Sequence, residues 1–470
     1  MNRSSLVAGQ PVRGAGSLTV RNPYHGAAVG TVAMASRADV HAAVAAARDF
    51  RETPSRHARS RILEATATAL EQAREEFARL ITLEAGLALR ETRYEVGRTL
   101  DVLRFAAMEA LRDDGQVFSC DISPQGKARK IFTTREPLRC VAAITPFNHP
   151  LNQAAHKVAP AIAAGTPIIL KPSEKTPLVA LRFAELLSAA GLPGPMLSVL
   201  LGPTADVAET LVTHPDVEAL AFTGSVAIGK RIAATAGYKR LVLELGGNDP
   251  LIVLDDAELE LAVTLAAEGS YRNSGQRCTA VKRILVQDGI APEFTRRLVE
   301  RTREYVCGDP MDEATRVGTV IDEASALQLE RVVQEAVVAG AKVLVGGGRR
   351  GALLEPTVIA NVPRDCRMVV CESFGPLAPI LTVRDLDDAL ELANGTAYGL
   401  SSGVVTTSLP HALKAVRGLR CGTVNINEVP GFRIENSPFG GIKDSGLGVK
   451  EGVIEAMKAY SFVKTFSLPW

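Results

Sequence analysis

The sequence predicts an α/β protein of two domains, each built on a parallel sheet covered by helices on both faces. Three observations carry this. A chain of 470 residues holds about two to three domains. From residue 140 onward, short apolar runs alternate with helical stretches of about ten residues, the signature of a buried parallel sheet. After residue 250 the alternation starts again, without any repeat of the sequence itself.

In chain order, residues 17–33 alternate apolar and polar around Asn22-Pro23, as a hairpin does. Ser36 or Asp39 caps an Ala/Val-rich helix ending near Phe50. Ile62, Leu63, Thr66, Leu70, Ala73, Phe77 and Leu80 recur at helical spacing and predict one helix over 56–84. A further helix over 88–111 carries Arg90, Arg93, Arg98 and Arg104. Residues 114–136 are polar, contain Ser123-Pro124-Gln-Gly126, and read as a projecting hairpin. Strands are predicted at 140–144, 167–170, 197–201, 219–222 and 241–245, with helices at 152–164, 177–190, 204–213 and 227–236. The second half has helices at 258–272, 291–305 and 322–340, and strands at 283–287, 342–345, 378–383 and 403–406. The tail 459–470 alternates and ends on the only tryptophan, Trp470. Alone it would be an exposed edge strand, so it is expected to pair with another subunit.

Composition narrows the function. Hydrophobic residues make up 46% and charged residues 22%, which supports a large core. A net charge of +1 offers no basic surface for nucleic acid or acidic membranes. Seven cysteines, at 120, 140, 278, 307, 366, 371 and 421, fit neither a disulfide framework nor a zinc site and suit a reducing cytosol. The N-terminus lacks a leader's apolar run, and no stretch reaches the roughly 18 apolar residues of a membrane span. His25, His41, His57, His156, His214 and His411 show no ligand spacing, and no metal is assigned.

Two motifs are decoys. Gly346-Gly-Gly-Arg-Arg-Gly351 matches G-x-G-x-x-G, but Pro356 follows where a helix must begin. Gly224-Ser-Val-Ala-Ile-Gly-Lys230 approaches a P-loop, but Arg231 stands where Ser or Thr would hold magnesium. The strand–Thr-Gly-Ser–helix junction there still offers a helix N-terminus to a cofactor phosphate. The chemistry centres elsewhere. Cys278 sits in a Gly/Ser/Asn-broken loop, and Glu244 ends a Leu/Val strand where Gly246 and Gly247 let the chain bend. A lone loop cysteine is ordinarily a small hydrophobe, so its context decides.

That context is seven runs: Thr145-Pro-Phe-Asn148, Lys171-Pro-Ser-Glu174, Phe222-Thr-Gly-Ser225, Glu244-Leu-Gly-Gly247, Gly275-Gln-Arg-Cys278, Glu372-Ser-Phe-Gly-Pro376 and Pro438-Phe-Gly-Gly-Ile-Lys443. In this order and spacing they resemble the NAD(P)-dependent aldehyde dehydrogenase superfamily over essentially the full length. The resemblance implies an aldehyde-dehydrogenase-like fold, with two Rossmann-like α/β domains and a small β oligomerisation arm. Residues 1–113 and 137–247 would form the NAD-binding domain, 248–445 the catalytic domain, and 114–136 with 446–470 the arm and C-terminal strand. It also implies the chemistry. Cys278 adds to the aldehyde carbon, the thiohemiacetal gives up hydride, and a thioester remains. The Asn148 amide and the Cys278 N–H hold the oxyanion. Glu244 activates the hydrolytic water, its apolar neighbours raising its pKa. Members that pass the acyl group to coenzyme A lack a glutamate at this position, so hydrolysis to the free acid is favoured.

Cofactor roles carry over by position to Thr145, Pro146, Phe147, Lys171, Ser173, Glu174, Phe222, Thr223, Gly224, Ser225, Ile228, Leu245, Gly246, Glu372 and Phe374. Phe147 departs from the family's common tryptophan. The Glu174 carboxylate would repel a 2′-phosphate, which favours NAD over NADP. A homodimer or dimer of dimers is implied. For the substrate, the family register brings Arg98, Arg277 and Arg433 towards one tunnel, with His149 and Thr279 beside them. Such clustered cations call for an anion. The runs Asn148-His-Pro-Leu-Asn-Gln153, Asn427-Glu-Val-Pro430 and Ser467-Leu-Pro-Trp470 look like those of phosphonoacetaldehyde dehydrogenases. A carboxylated semialdehyde such as succinate semialdehyde is the alternative. An inactive scaffold homologue is the reading from another class, and an intact Asn148, Glu244 and Cys278 argue against it.

Overall fold

Alternation of fully buried strands with amphipathic helices builds two seven-stranded sheets in the computed structural model, which describes all 470 residues. The order in the first sheet is Arg240–Glu244, Ala219–Thr223, Val141–Ile144, Ile168–Lys171, Leu197–Val199, Leu6–Val7 and Gln10–Pro11. The first five strands are parallel, and Leu6–Val7 joins antiparallel. The chain starts at Val141–Ile144, runs outward through Ile168–Lys171 and Leu197–Val199, then returns to add Ala219–Thr223 and Arg240–Glu244 on the other side. The strand order therefore reverses between Val141–Ile144 and Ala219–Thr223, and open α/β sheets take ligands in the crevice at such a point.

The second sheet runs Lys342–Val345, Thr357–Ala360, Leu377–Val383, Val281–Gln287, Asp249–Val253, Ser401–Val405 and Thr423–Ile426. Every neighbouring pair is parallel except the first. Glu244 ends a strand of the first sheet, and Asp249 begins an interior strand of the second. Asp249 lies in register with Val281, three residues after Cys278. The two sheets thus meet at Gly246-Gly247, with Glu244 on one side and Cys278 on the other. A Cβ on Gly247 would lie 2.5 Å from the Cys278 carbonyl oxygen, so only glycine permits this approach.

The hairpin at Ser17–Arg21 and Ala28–Ala33 forms as expected, and Ser36 caps Arg37–Asp49 in a capping box with Asp39. The expected 56–84 helix is two helices, Arg56–Gln72 and Arg74–Ala85, bent at Ala73 (φ −95°, ψ 14°), where no Gly or Pro announces a break. Strand Asp249–Val253 is an addition to the expected strands; proline disfavours interior strands, and a register shift between Asp249 and Pro250 accommodates Pro250. Strands Thr357–Ala360 and Thr423–Ile426 and helices Leu386–Asn394, Leu409–Gly418 and Val453–Ala459 are further additions.

Strand Ser461–Pro469 pairs antiparallel with Arg129–Pro137 of its own chain over nine residues, and its other side is an outer edge of the arm. With Val117–Ser119 it makes a three-stranded arm. Val453, Ala456, Ala459 and Tyr460 pack into the core beneath the first sheet, so the arm's share of the tail begins at Ser461. No helix is long and apolar enough to cross a membrane.

Candidate active site

The cysteine loop is held in an uncommon backbone. Asn273, Ser274 and Gly275 are consecutively left-handed, at φ 59°, 53° and 69°. Side chains fix it. Asn273 Nδ2 donates to the Asn148 carbonyl at 2.9 Å, and Asn148 Nδ2 donates back to the Gln276 carbonyl at 2.8 Å. Asn148 keeps a second N–H for another acceptor. Buried Lys282 donates from Nζ to the carbonyls of Arg277 and Cys278, each at 2.7 Å, and lies 3.3 Å from Glu372 Oε1. Burial pushes the Cys278 thiol up to about 11, with the Lys282 charge pulling the other way.

Glu244 is 3% exposed, and neither carboxylate oxygen has a hydrogen-bond partner. Burial pushes its pKa up to about 8, against the lowering charges of Lys157, Arg433 and Lys450. Lys157 is itself buried and ion-paired with Glu451, and burial draws its pKa down to about 7. Gly440 walls this space: a Cβ there would lie 2.5 Å from Glu244 Oε1 and 2.8 Å from the Val449 carbonyl.

The cationic side chains differ from their expected freedom. Arg433 alone matches it. It makes no ion pair or hydrogen bond with the protein, stacks over Phe439 at 3.9 Å, and has a buried, unpaired Nη1. Burial lowers its pKa, and among the charges acting on it the Glu435 carboxylate is the strongest. Arg98 is not free: its Nε donates to buried Glu435 Oε1 at 2.5 Å. Arg277 donates from Nη2 to the Gly269 carbonyl at 2.7 Å, capping helix Leu259–Tyr271, while its buried Nε has no partner. Desolvation draws Arg277 down to about 10. His149 heads helix Pro150–Ala164 with Nδ1 3.7 Å from Glu95 Oε2, and burial lowers its pKa, so it adds no charge at neutral pH. Thr279 abuts Gly431, whose Cβ would meet Thr279 Oγ1 at 2.3 Å.

Sequence reasoning misses four polar residues. Glu435 accepts from Arg98 and lies 2.5 Å from His156 Nε2. His156 Nδ1, both polar side-chain atoms of Asn152 and Gln153 Oε1 are buried without partners. One signal is present: Asn152 and His156 stand four apart on an otherwise Ala/Val-rich helix, hence on one face. Buried polar atoms without partners imply water or ligand beside them.

A cleft of about 510 Å³ opens where the first sheet reverses its strand order. It is lined by Thr145, Pro146, Phe147, Lys171, Ser173, Glu174, Phe222, Thr223, Gly224, Ser225 and Ile228, among others. A hollow of about 200 Å³ shares Phe147 and continues along Glu372, Ser373 and Phe374. The Phe147 and Phe374 rings meet edge to face at 6.0 Å. Leu245 backs the cleft against Gly229, and Gly246 lies under the Glu372 carboxylate, where a Cβ would come within about 2.2 Å. A dinucleotide fits these residues. Thr145 Oγ1, Thr223 Oγ1 and Ser373 Oγ are buried without partners, and Ser225 begins helix Val226–Thr235, whose N-terminus suits a pyrophosphate. Lys171 is ion-paired with Glu174, and Arg231 with Glu209 at 2.6 Å.

Comparison with known proteins is consistent throughout the chain. Residues 12–466 match the aldehyde dehydrogenase family. The chain is 40% identical over 436 residues to the 3-sulfolactaldehyde dehydrogenase of Priestia aryabhattai, covering 93% of this chain and 91% of that one. It is 38% identical over 407 residues to the sulfoacetaldehyde dehydrogenase of Neptuniibacter caesariensis, covering 87% and 89%. The crystal structure of the NADP-dependent glyceraldehyde-3-phosphate dehydrogenase of Bacillus halodurans C-125 with NADP superposes with a TM-score of 0.97 at 34% identity, covering 100% and 99%.

Proposed function

This chain belongs to the aldehyde dehydrogenase family, and we propose that it oxidises phosphonoacetaldehyde to phosphonoacetate, with NAD as acceptor and water releasing the product. One observation carries the choice of substrate class: Arg433, whose buried Nη1 has no partner and which makes no ion pair or hydrogen bond, feels Glu435 only at a distance and sits within electrostatic reach of the Cys278 thiol. An unpaired buried charge is costly unless the substrate brings its counter-charge. The relatives named for sulfolactaldehyde and sulfoacetaldehyde support a tetrahedral anion on a short aldehyde. NAD over NADP rests on the cations at the cleft, since Lys171 and Arg231 are both engaged by carboxylates. The arm, with Phe462, Phe466 and Trp470 exposed, supports assembly into dimers or dimers of dimers.

In this reading Cys278 attacks the carbonyl carbon while Asn148 Nδ2 and the Cys278 N–H receive the developing oxyanion. NAD, when bound, supplies the hydride acceptor. Glu244 then takes a proton from the water that cleaves the Cys278 thioester. Its protonated form dominates below about pH 8, and the base must be ionised to act. The single-turnover rate of thioester hydrolysis is therefore expected to climb about tenfold per pH unit up to that point and level above it. Glu244→Gln is expected to leave one equivalent of NADH per site as a burst, followed by turnover slowed about 10²-fold or more. Equal steady-state rates for variant and wild type would remove Glu244 from this role.

The head group is tested by steady-state comparison. Phosphonoacetaldehyde is expected to exceed succinate semialdehyde in kcat/KM by about tenfold or more. Equal or better use of succinate semialdehyde would refute the phosphonate assignment.

A further inference from the structure

A second cavity lies away from the catalytic cysteine. It measures about 450 Å³ and opens where the ends of helices Arg56–Gln72, Leu89–Ala110 and Pro150–Ala164 meet the root of the arm at Arg135, Pro137 and Ser461. None of Asn148, Glu244 and Cys278 lines it. The charged residues in its walls are Arg56, Arg59, Arg112, Arg135 and Lys458 against Glu109, Asp113 and Asp114. Every one of these cations except Arg59 has a carboxylate. Arg56 lies 3.6 Å from Asp113, Arg112 3.0 Å from Glu109, Arg135 2.6 Å from Asp114, and Lys458 2.8 Å from Glu455, which is not itself in the wall.

Arg59 is also the one buried charge of the set, 8% exposed. Its Nη1 donates to the Ala163 carbonyl at 2.8 Å, in the last turn of helix Pro150–Ala164. That helix ends on left-handed Gly165, where a Cβ would lie 2.5 Å from Nη1, so the guanidinium is pinned against the cap. A helix C-terminus offers it about half a negative charge, not a whole one. Nε is buried without a partner, and Nη2 makes no hydrogen bond. Burial and the neighbouring Arg56 charge both draw its pKa down, to about 10, and no carboxylate draws it back. A buried guanidinium so placed is costly unless something outside the chain supplies an anion.

The unused edge of the guanidinium specifies the ligand. Nε–H and Nη2–H lie side by side and point the same way, which is the edge that takes both oxygens of a carboxylate. One uncompensated positive charge matches one negative charge. Pro137, Ala163, Ala164, Ile454 and Met457 supply apolar wall for a short hydrocarbon or aryl body. We infer that this cavity is a second ligand site, which takes a small monocarboxylate with its head on Arg59 and its apolar body against Ile454 and Met457. The site is separate from the aldehyde pocket and does not depend on which aldehyde is oxidised there.

The test is calorimetric titration of the full chain with 4-bromobenzoate, with 4-bromobenzamide as the uncharged control. The carboxylate is expected to bind with a Kd of about 1 mM or tighter, and the amide at least about tenfold more weakly. In Arg59→Gln the affinity for the carboxylate is expected to fall at least about tenfold. That change also removes a helix cap, so Ala164→Phe is its companion: it keeps Arg59, narrows the cavity and is expected to cause a similar loss. In a soaked crystal the bromine, located by its anomalous scattering, is expected beside Ile454 and Met457. Absence of binding, equal binding of acid and amide, affinity unaltered in Ala164→Phe, or bromine only in the aldehyde pocket would each overturn the site and leave Arg59 as a helix cap alone.

Discussion

Cys278→Ala is expected to abolish NADH formation, with a loss of at least about 10⁴-fold in kcat, while the protein stays folded. An aldehyde carbon is trigonal and holds its hydrogen firmly; hydride leaves only after a nucleophile has made the carbon tetrahedral. Within the site Cys278 is the sole sulfur on the left-handed loop that Asn148 and Asn273 tie down. The loop's conformation does not depend on the thiol, because its hydrogen bonds run through Asn148, Asn273, Gln276 and Lys282. Removing sulfur should therefore spare the fold and the cofactor cleft. Unchanged NAD binding together with lost turnover is the expected pattern. Turnover within about tenfold of wild type would mean that another group forms the adduct.

Arg433→Leu carries the second large effect. The substitution keeps apolar bulk against Phe439 and removes the unpaired guanidinium. A substrate anion that relied on it would lose a desolvated charge-assisted contact worth about 2–5 kcal/mol, or about 30- to 5,000-fold in kcat/KM. The loss should fall mainly in KM if the contact is equal in ground and transition states. Tert-butylacetaldehyde, which matches the shape without the charge, is expected to lose far less or to gain. Arg98 and Arg277 should show smaller effects. Arg98 already answers Glu435, and Arg277 spends part of its fork on the Gly269 carbonyl.

What is legible in the sequence is local. Helix and strand periods, the Ser36 cap and the hairpin at 17–33 depend on neighbours within a few residues, and they are found where expected. The motif residues are legible too, because glycines at 246 and 247 and the broken loop before Cys278 mark special backbone. Illegible features depend on distant partners. The Arg98–Glu435 contact spans 337 residues and His156–Glu435 spans 279, so nothing near Arg98 announces that it is taken. Arg277 looks free because its acceptor is a helix-end carbonyl, which any residue supplies. Strand Asp249–Val253 contains Pro250, and the register shift that tolerates it appears only once the strands pair. The tail's alternation predicts a strand correctly but says nothing of which chain it joins.

The central claim is that one cavity grips a charged head while Cys278 takes the aldehyde at the other end. Wild-type kcat/KM for phosphonoacetaldehyde against tert-butylacetaldehyde measures this directly, since the two differ in charge and hardly in shape. An advantage of about 10³-fold or more for the phosphonate is expected; equal values would contradict the claim.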